Sequence, residues 1–302
     1  MCIMRIGDIM KILVDSFEKK KYAALIVDIK SSRTYDSAYR NNMQNYLYDT
    51  ITILNDIFRE SIEKKVEFSA GDEMQGLFSS AEAAYLYFRW LNMLASPIKL
   101  RAGIGVGIWN VVLENAGTTA QDGPAYHNAR YAIDTVKNID GYSVLLYSGG
   151  SEDLVINSTI NTSTLIINKD SEHQVLLMIL TEIMYPIYIE NTFSLEKLSL
   201  LEHALKNKYI YNSNKPYGHI PNKTYEFISY SSDYARVIYP VLVEFEDDSF
   251  YVTNGKTRGI ATNLSNMLNI RRQSIDYSVR ASNLYEARNS AIITLKMMGR
   301  FL

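Results

Sequence analysis

The feature that most constrains this chain is a pair of aspartates, 44 residues apart, each at the end of a strand pattern. Asp28 closes the apolar run Ala23-Ala24-Leu25-Ile26-Val27-Asp28-Ile29, which reads as a fully buried strand. Asp72 stands at the tip of the turn Ala70-Gly71-Asp72-Glu73-Met74. The flanks of that turn, Val66–Ser69 and Met74–Phe78, predict a hairpin with a permissive glycine before its tip. Strand-end carboxylates of this kind can share divalent cations such as Mg²⁺ or Mn²⁺, the ions that accompany nucleoside triphosphates.

The surrounding pattern fills in a frame for the pair. A short amphipathic helix is predicted over 8–20, a strand over 22–28, and a long helix over 35–63. The hairpin follows, then a helix over 81–94 and a strand over 98–108. A helix over 124–136, opened by Pro124, and a strand over 142–147 complete the series. The order predicts an α+β fold: a ferredoxin-like, palm-type βαββαβ domain over 1–150, its sheet antiparallel and its helices on one face. In that arrangement the end of the first strand lies beside the central hairpin, which would bring Asp28 to Asp72.

Residues 151–302 predict a mostly helical second part. The stretch 151–170 is rich in Ser, Thr and Asn and reads as a linker or exposed loop. Residues 173–208 read as helical, and the Tyr-rich stretch 209–255 supports no assignment. Near the end, Gly259–Leu268, the turn Asn269-Ile270, Arg271–Ala281 and a further helix from Tyr285 match the spacing of a helix-turn-helix over about 256–300.

Composition narrows the partners. The single cysteine, Cys2, excludes a disulfide framework and a cysteine zinc site, and a reducing cytoplasm is the expected setting. Asp8 and Lys11 interrupt the first apolar stretch, so no signal peptide is expected. The longest apolar run, Gln174–Ile189, is broken by Glu182 and Pro186 and falls short of the roughly 18 residues a membrane span needs, so no membrane partner is expected. The net charge of −2 conceals an asymmetry: from Tyr251 onward eight basic residues face only Asp276 and Glu286. A basic end on an acidic body points to a polyanion, DNA, as a partner. Arg271, Arg272, Gln273, Tyr277 and Arg280 would line one side of the second helix and read base edges, with Lys256 and Arg258 on phosphates. A solvated docking module is the alternative reading of the same charges.

These residues carry a resemblance. Asp28-Ile29-Lys30-Ser31-Ser32-Arg33, Gly71-Asp72-Glu73-Met74-Gln75-Gly76-Leu77, Arg101-Ala102-Gly103-Ile104-Gly105 and Asp122-Gly123-Pro124-Ala125-Tyr126 with Ala129-Arg130 resemble the SatD family of bacterial proteins over about the first half of the chain. More distantly, the same blocks are similar to class III nucleotide cyclases and diguanylate cyclases. That resemblance implies that Asp28 and Asp72 are metal carboxylates, with the Ile29 carbonyl a further ligand. It implies that Arg130 stabilises a transition state and that catalytic sites form between two subunits of a homodimer. Tyr126 stands where a ribose-positioning asparagine is usual.

Beside that resemblance, Glu73 is either a third metal ligand or a side chain turned to solvent, and Lys30, Ser31, Ser32 and Arg33 offer a phosphate cradle just past a strand end. Taken singly, either aspartate reads as structural, Asp28 capping the following turn and Asp72 shaping the hairpin. Three readings stay open: a regulator that binds a nucleotide or phosphorylated ligand and DNA, a cyclase or nucleotidyltransferase, and a self-association scaffold. Gly103, Gly105 and Gly107 either admit a ligand or let a helix pack against their strand face.

Overall fold

The computed structural model describes residues 20–34, 36–213, 238–246 and 249–302. The helix expected over 8–20 lies, but for Lys20, outside them. The fold is α+β, with one mixed five-stranded sheet and a helical C-terminal region.

The sheet is built from β1 (Lys21–Ile29), β2 (Ile62–Ala70), β3 (Glu73–Phe78), β4 (Leu100–Ile108) and β5 (Val144–Tyr147), in the order β2-β3-β1-β4-β5. β1 runs antiparallel to both β3 and β4, and β2 antiparallel to β3. β5 runs parallel to β4, so the sheet is mixed and not antiparallel throughout as expected.

Between the strands lie α1 (Ser37–Ile57), α2 (Ala81–Ala95) and α3 (Pro124–Asn138). The first two open on side-chain caps: Asp36 accepts the N–H of Tyr39, and Ser80 accepts that of Ala83. α3 opens on Pro124, whose missing N–H costs nothing in a first turn. The helix predicted over 35–63 ends at Ile57. From Ile62 the chain switches to a period of two, and the alternation Ile62, Lys64, Val66, Phe68 makes it a strand.

The pleat of β1 separates two apolar layers. Ala23, Leu25, Val27 and Ile29 point into the large core with α1 and α2, while Ala24 and Ile26 point into a smaller cluster with Ala125, Ala129 and Ile133 of α3. Helices therefore cover both faces, where one was expected. α3 lies directly on the glycine stripe of β4. A Cβ on Gly105 would come within 2.0 Å of the Ala129 nitrogen, and one on Gly103 within 2.3 Å of the Ala129 oxygen. The glycines admit a helix.

Both border strands carry a similar seal. Asn55 of α1 donates to the Val66 carbonyl of β2 at 2.9 Å and accepts its N–H at 3.1 Å. Asn157 does the same for Leu146 of β5, at 2.8 and 2.6 Å.

Asn157 belongs to α4 (Asp153–Lys169), a helix where a linker was expected. Ile156, Ile160, Thr164 and Ile167 bury one stripe at helical spacing, and Thr162 and Thr164 hydrogen-bond back to the carbonyls four residues earlier. Next come α5 (Glu172–Met184), β6 (Ile187–Tyr188), α6 (Leu201–Ser213) and β7 (Val241–Leu242), which pairs in parallel with β6. The continuous helical stretch expected over 173–208 is thus split. Pro186 disfavours helical backbone at Tyr185, and the helix ends there.

The C-terminal helices are α7 (Ile260–Leu268), α8 (Arg272–Ala281) and α9 (Leu284–Phe301). Asn269 and Asn283, each at φ 49°, make the two left-handed turns between them. α9 packs along α4, where Ser290 donates to the Thr159 carbonyl and Thr294 bonds the Thr159 hydroxyl. One buried core runs from Ala23 of β1 to Met298 of α9. Among the described residues no helix is long and apolar enough to cross a membrane.

Candidate functional site

Sheet register assembles the site. Asp28, at the C-terminal end of β1, faces Glu73 across to β3 and Arg101 across to β4. The side chain of Asp28 follows Ala24 and Ile26 onto the face covered by α3, where Arg130 and Lys137 stand two turns apart on one side of the helix. Arg130 donates two hydrogen bonds of 2.7 Å to Glu73. The Lys137 ammonium lies 3.7 Å from Asp28 Oδ1 and 3.8 Å from Glu73 Oε2. Arg101 Nη1 lies 3.9 Å from the other oxygen of Asp28. Just past β1, Ser31 adopts φ 60°, and the buried Ser32 donates its hydroxyl to Asp72.

Three carboxylates thus meet three cations at one end of the sheet, with Asp28 and Glu73 each only 14% exposed. Burial pushes the pKa of Asp28 up. Asp72 and Glu73 add to the rise, against the pull of Lys137 and Arg101. Burial also pushes at Glu73, but the bonds and charge of Arg130, with Lys137 and Ser69, outweigh it and hold that carboxyl below its ordinary value. Arg130 is held protonated by Glu73.

Asp28, Asp72, Glu73, Ser32 and Arg130 are therefore gathered in one cluster. Ile29 keeps its side chain in the core behind them, and Lys30 is exposed, its N–H bound to the Lys99 carbonyl at 2.8 Å. The side chain of Arg33 lies outside the described residues. Tyr126 is not brought to the carboxylates: it is buried, its hydroxyl 3.3 Å from that of Thr118, and burial pushes the phenol up to about 12. Asn128 of α3 is half-buried and donates to the Val106 carbonyl. Lys137 was missed because the predicted helix stopped at Val136, one residue short. Its seven-residue spacing from Arg130 was the available signal.

The oxygen donors suit a hard divalent cation. Both cations beside Asp28 stand farther away than a hydrogen bond allows, and Asp28 accepts no hydrogen bond among the described residues, which leaves its lone pairs open. Among the described residues no group of three His, Cys, Asp or Glu side chains is set for a metal ion, and Glu73 is turned to Arg130.

On the C-terminal helices, Arg271, Arg272, Gln273, Tyr277 and Arg280 are all exposed, and α8 buries only Ile275 and Val279. Lys256 lies 5.6 Å above the ring of Tyr285, and Arg258 is exposed. Arg288, counted above among the basic residues of this region, does not contribute to its surface. It is fully buried against Glu182, which also accepts a 2.7 Å bond from Arg89 of α2.

No curated protein and no solved structure matches this chain. The model of the SatD family matches residues 22–217, a span that takes in the five-stranded sheet but for Lys21 and every member of the carboxylate and cation cluster. By that match, the chain belongs to the SatD family.

Proposed function

We propose that this chain is a cytoplasmic regulatory protein. Its palm-like domain (1–150) binds a nucleotide or phosphorylated ligand together with Mg²⁺ or Mn²⁺ and biases DNA binding by a helix-turn-helix in 151–302. The observation that carries the reading is Asp28: a nearly buried carboxylate, ringed by cations, that accepts no hydrogen bond. A structural aspartate at a strand end satisfies its oxygens locally. This one keeps them open beside Asp72. The strand order β2-β3-β1-β4, antiparallel throughout, supports the ferredoxin-like assignment. Fold alone does not establish function, so the site bears the argument.

In this reading Asp28 and Asp72 hold the divalent ion, which supplies positive charge to phosphate oxygens. Ser31, Ser32 and Lys30 present donors past the strand end, and Arg130 exchanges Glu73 for phosphate. The C-terminal helices bind DNA as a homodimer through Arg271, Arg272, Gln273, Tyr277 and Arg280, with Lys256 and Arg258 toward phosphates. The continuous core between sheet and α9 offers a route for coupling.

The test pairs two assays. Nucleoside triphosphates with Mg²⁺ are expected to raise the melting temperature of wild type and not of Asp28→Ala. The same ligands are expected to change DNA affinity, measured by fluorescence anisotropy, in wild type alone. Arg272→Ala/Arg280→Ala is expected to lose DNA binding and keep the melting shift. Release of pyrophosphate would move the assignment to a nucleotidyl-transfer enzyme. Absence of both ligand and DNA binding, with a stable oligomer, would move it to a scaffold.

A further inference from the structure

We propose that the core binds a monovalent anion of halide size where α2 and α4 meet α9, held by Arg89, Tyr85 and Ser163. This site lies apart from the carboxylate cluster and does not depend on what that cluster binds.

The first observation is a charge imbalance. Arg89, Glu182 and Arg288 are buried together. Burial opposes the charge of Glu182, but Arg288 and Arg89 outweigh it and hold that carboxyl below its ordinary value, so it is ionised. Guanidinium groups keep their proton in proteins. Two positive charges against one negative leave an excess of one inside the core, and a buried charge without a counter-ion is costly. Arg288 is well occupied: it donates to the carbonyls of Gly255 and Tyr185 at 2.9 and 2.7 Å, and its third nitrogen lies 2.5 Å from Glu182. Arg89 donates to the same carboxylate at 2.7 Å, while its Nε is buried with no hydrogen-bond partner. The unmatched charge therefore has a free donor on the Arg89 side.

The second observation is a set of idle hydroxyls beside that donor. Tyr85 stands one turn before Arg89 on the same side of α2. Its hydroxyl feels those of Ser163 and Thr294, and burial pushes its pKa up, so it keeps its proton. Neither Tyr85 Oη nor Ser163 Oγ has a hydrogen-bond partner, although both residues are buried. Thr294 is committed elsewhere, to the Ser290 carbonyl at 2.8 Å and the Thr159 hydroxyl at 2.9 Å. A serine within a helix ordinarily turns to the carbonyl four residues back. For Ser163 that carbonyl is Thr159, and it accepts from Ser290.

Buried polar groups in folded proteins are as a rule paired, so three idle donors in one place point to a ligand. Charge decides which. A water molecule would accept from these donors and leave the excess charge where it is. A phosphate would overshoot it. A halide accepts from all three, cancels the excess, and makes no directional demand of its own.

The experiment melts the full chain in mixtures of sodium bromide and sodium gluconate at constant ionic strength. Bromide is expected to raise the melting temperature of wild type to a plateau, as a ligand of the folded state does. Ser163→Ala and Tyr85→Phe each remove a neutral donor with little change of shape. Each is expected to raise the half-saturating bromide concentration about tenfold. Arg89→Met removes the excess charge and leaves a neutral Glu182–Arg288 pair, and it is expected to lose the bromide response altogether. Should that variant fail to fold, the two hydroxyl variants still decide. Equal melting of wild type in both salts would overturn the inference and leave the donors to water. A bromide response with the same midpoint in wild type and both hydroxyl variants would overturn it as a bulk salt effect.

Discussion

Arg130 reaches from α3 to Glu73 on β3 in a two-armed pair, each arm 2.7 Å long. The pair spans a helix and a strand that are 57 residues apart, and it holds Glu73 charged against the pressure of its own burial.

Removing the arginine tests that balance. Arg130→Ala is expected to cost about 1 kcal/mol at neutral pH, a modest figure because the guanidinium is 44% exposed and solvent screens it. The sign follows from linkage. Glu73 titrates lower in the folded chain than in the unfolded one, so its contribution is present above the unfolded value, about pH 4.3, and fades as pH falls through the folded value. Melting curves of wild type and variant are expected to converge in acid. A gap that stays constant with pH would refute the electrostatic account.

The buried group Arg89–Glu182–Arg288 makes an asymmetric prediction. Two guanidinium groups share one oxygen of a single carboxylate, and the exposures are 3%, 1% and 0%. Glu182→Gln leaves two unpaired cations in the core and is expected to cost about 3–5 kcal/mol. Arg89→Met leaves a neutral pair and is expected to cost much less. Chemical denaturation would separate the two, and equal losses would contradict the shared-carboxylate picture.

Gly105 faces the backbone of α3 too closely for a side chain, the nearest atom being 2.0 Å from a Cβ placed there. Gly105→Ala is expected to lift α3 from the sheet at a cost of about 1–3 kcal/mol. Because Arg130 and Lys137 ride on that helix, the same change is expected to weaken ligand binding.

Asp170 supplies a pH dependence of opposite sign. One of its oxygens is buried without a hydrogen-bond partner, and burial pushes its pKa up to about 7 against the attraction of Lys99. A carboxyl raised above its unfolded value, about 3.9, favours the fold fully below that value and loses the advantage as pH climbs through about 7. Asp170→Asn is expected to remove this slope, and above neutral pH to match or exceed wild type by about 1–2 kcal/mol. A variant less stable than wild type at alkaline pH would count against it.

What could be read in the sequence followed from how local the signal was. The apolar run of β1, the Ser80 cap of α2 and Pro124 at the start of α3 are short-range features, and those elements form where expected. The meeting of Asp28 and Asp72 was legible because the predicted strand order sets the end of the first strand beside the central hairpin, whereas Arg130 entered only through the cyclase resemblance. α4 was not legible: its buried stripe includes Ser163 and Thr164, and the helix holds further Ser, Thr and Asn, which composition alone assigns to a loop. Arg288 was misread as a surface charge because its partner Glu182 lies 106 positions away, and no local pattern announces a pairing at that distance. The parallel β5, on which the second helical layer depends, is only four residues long.

The two asparagines at the sheet's borders limit how copies of this protein can associate. An exposed strand edge is an open-ended template, since each copy added presents the same edge again. Asn55 and Asn157 occupy the backbone of Val66 and Leu146 with their own amides and so interrupt both templates. A second copy that tried to extend the sheet would have to displace an amide at Val66 or at Leu146 before it could pair there.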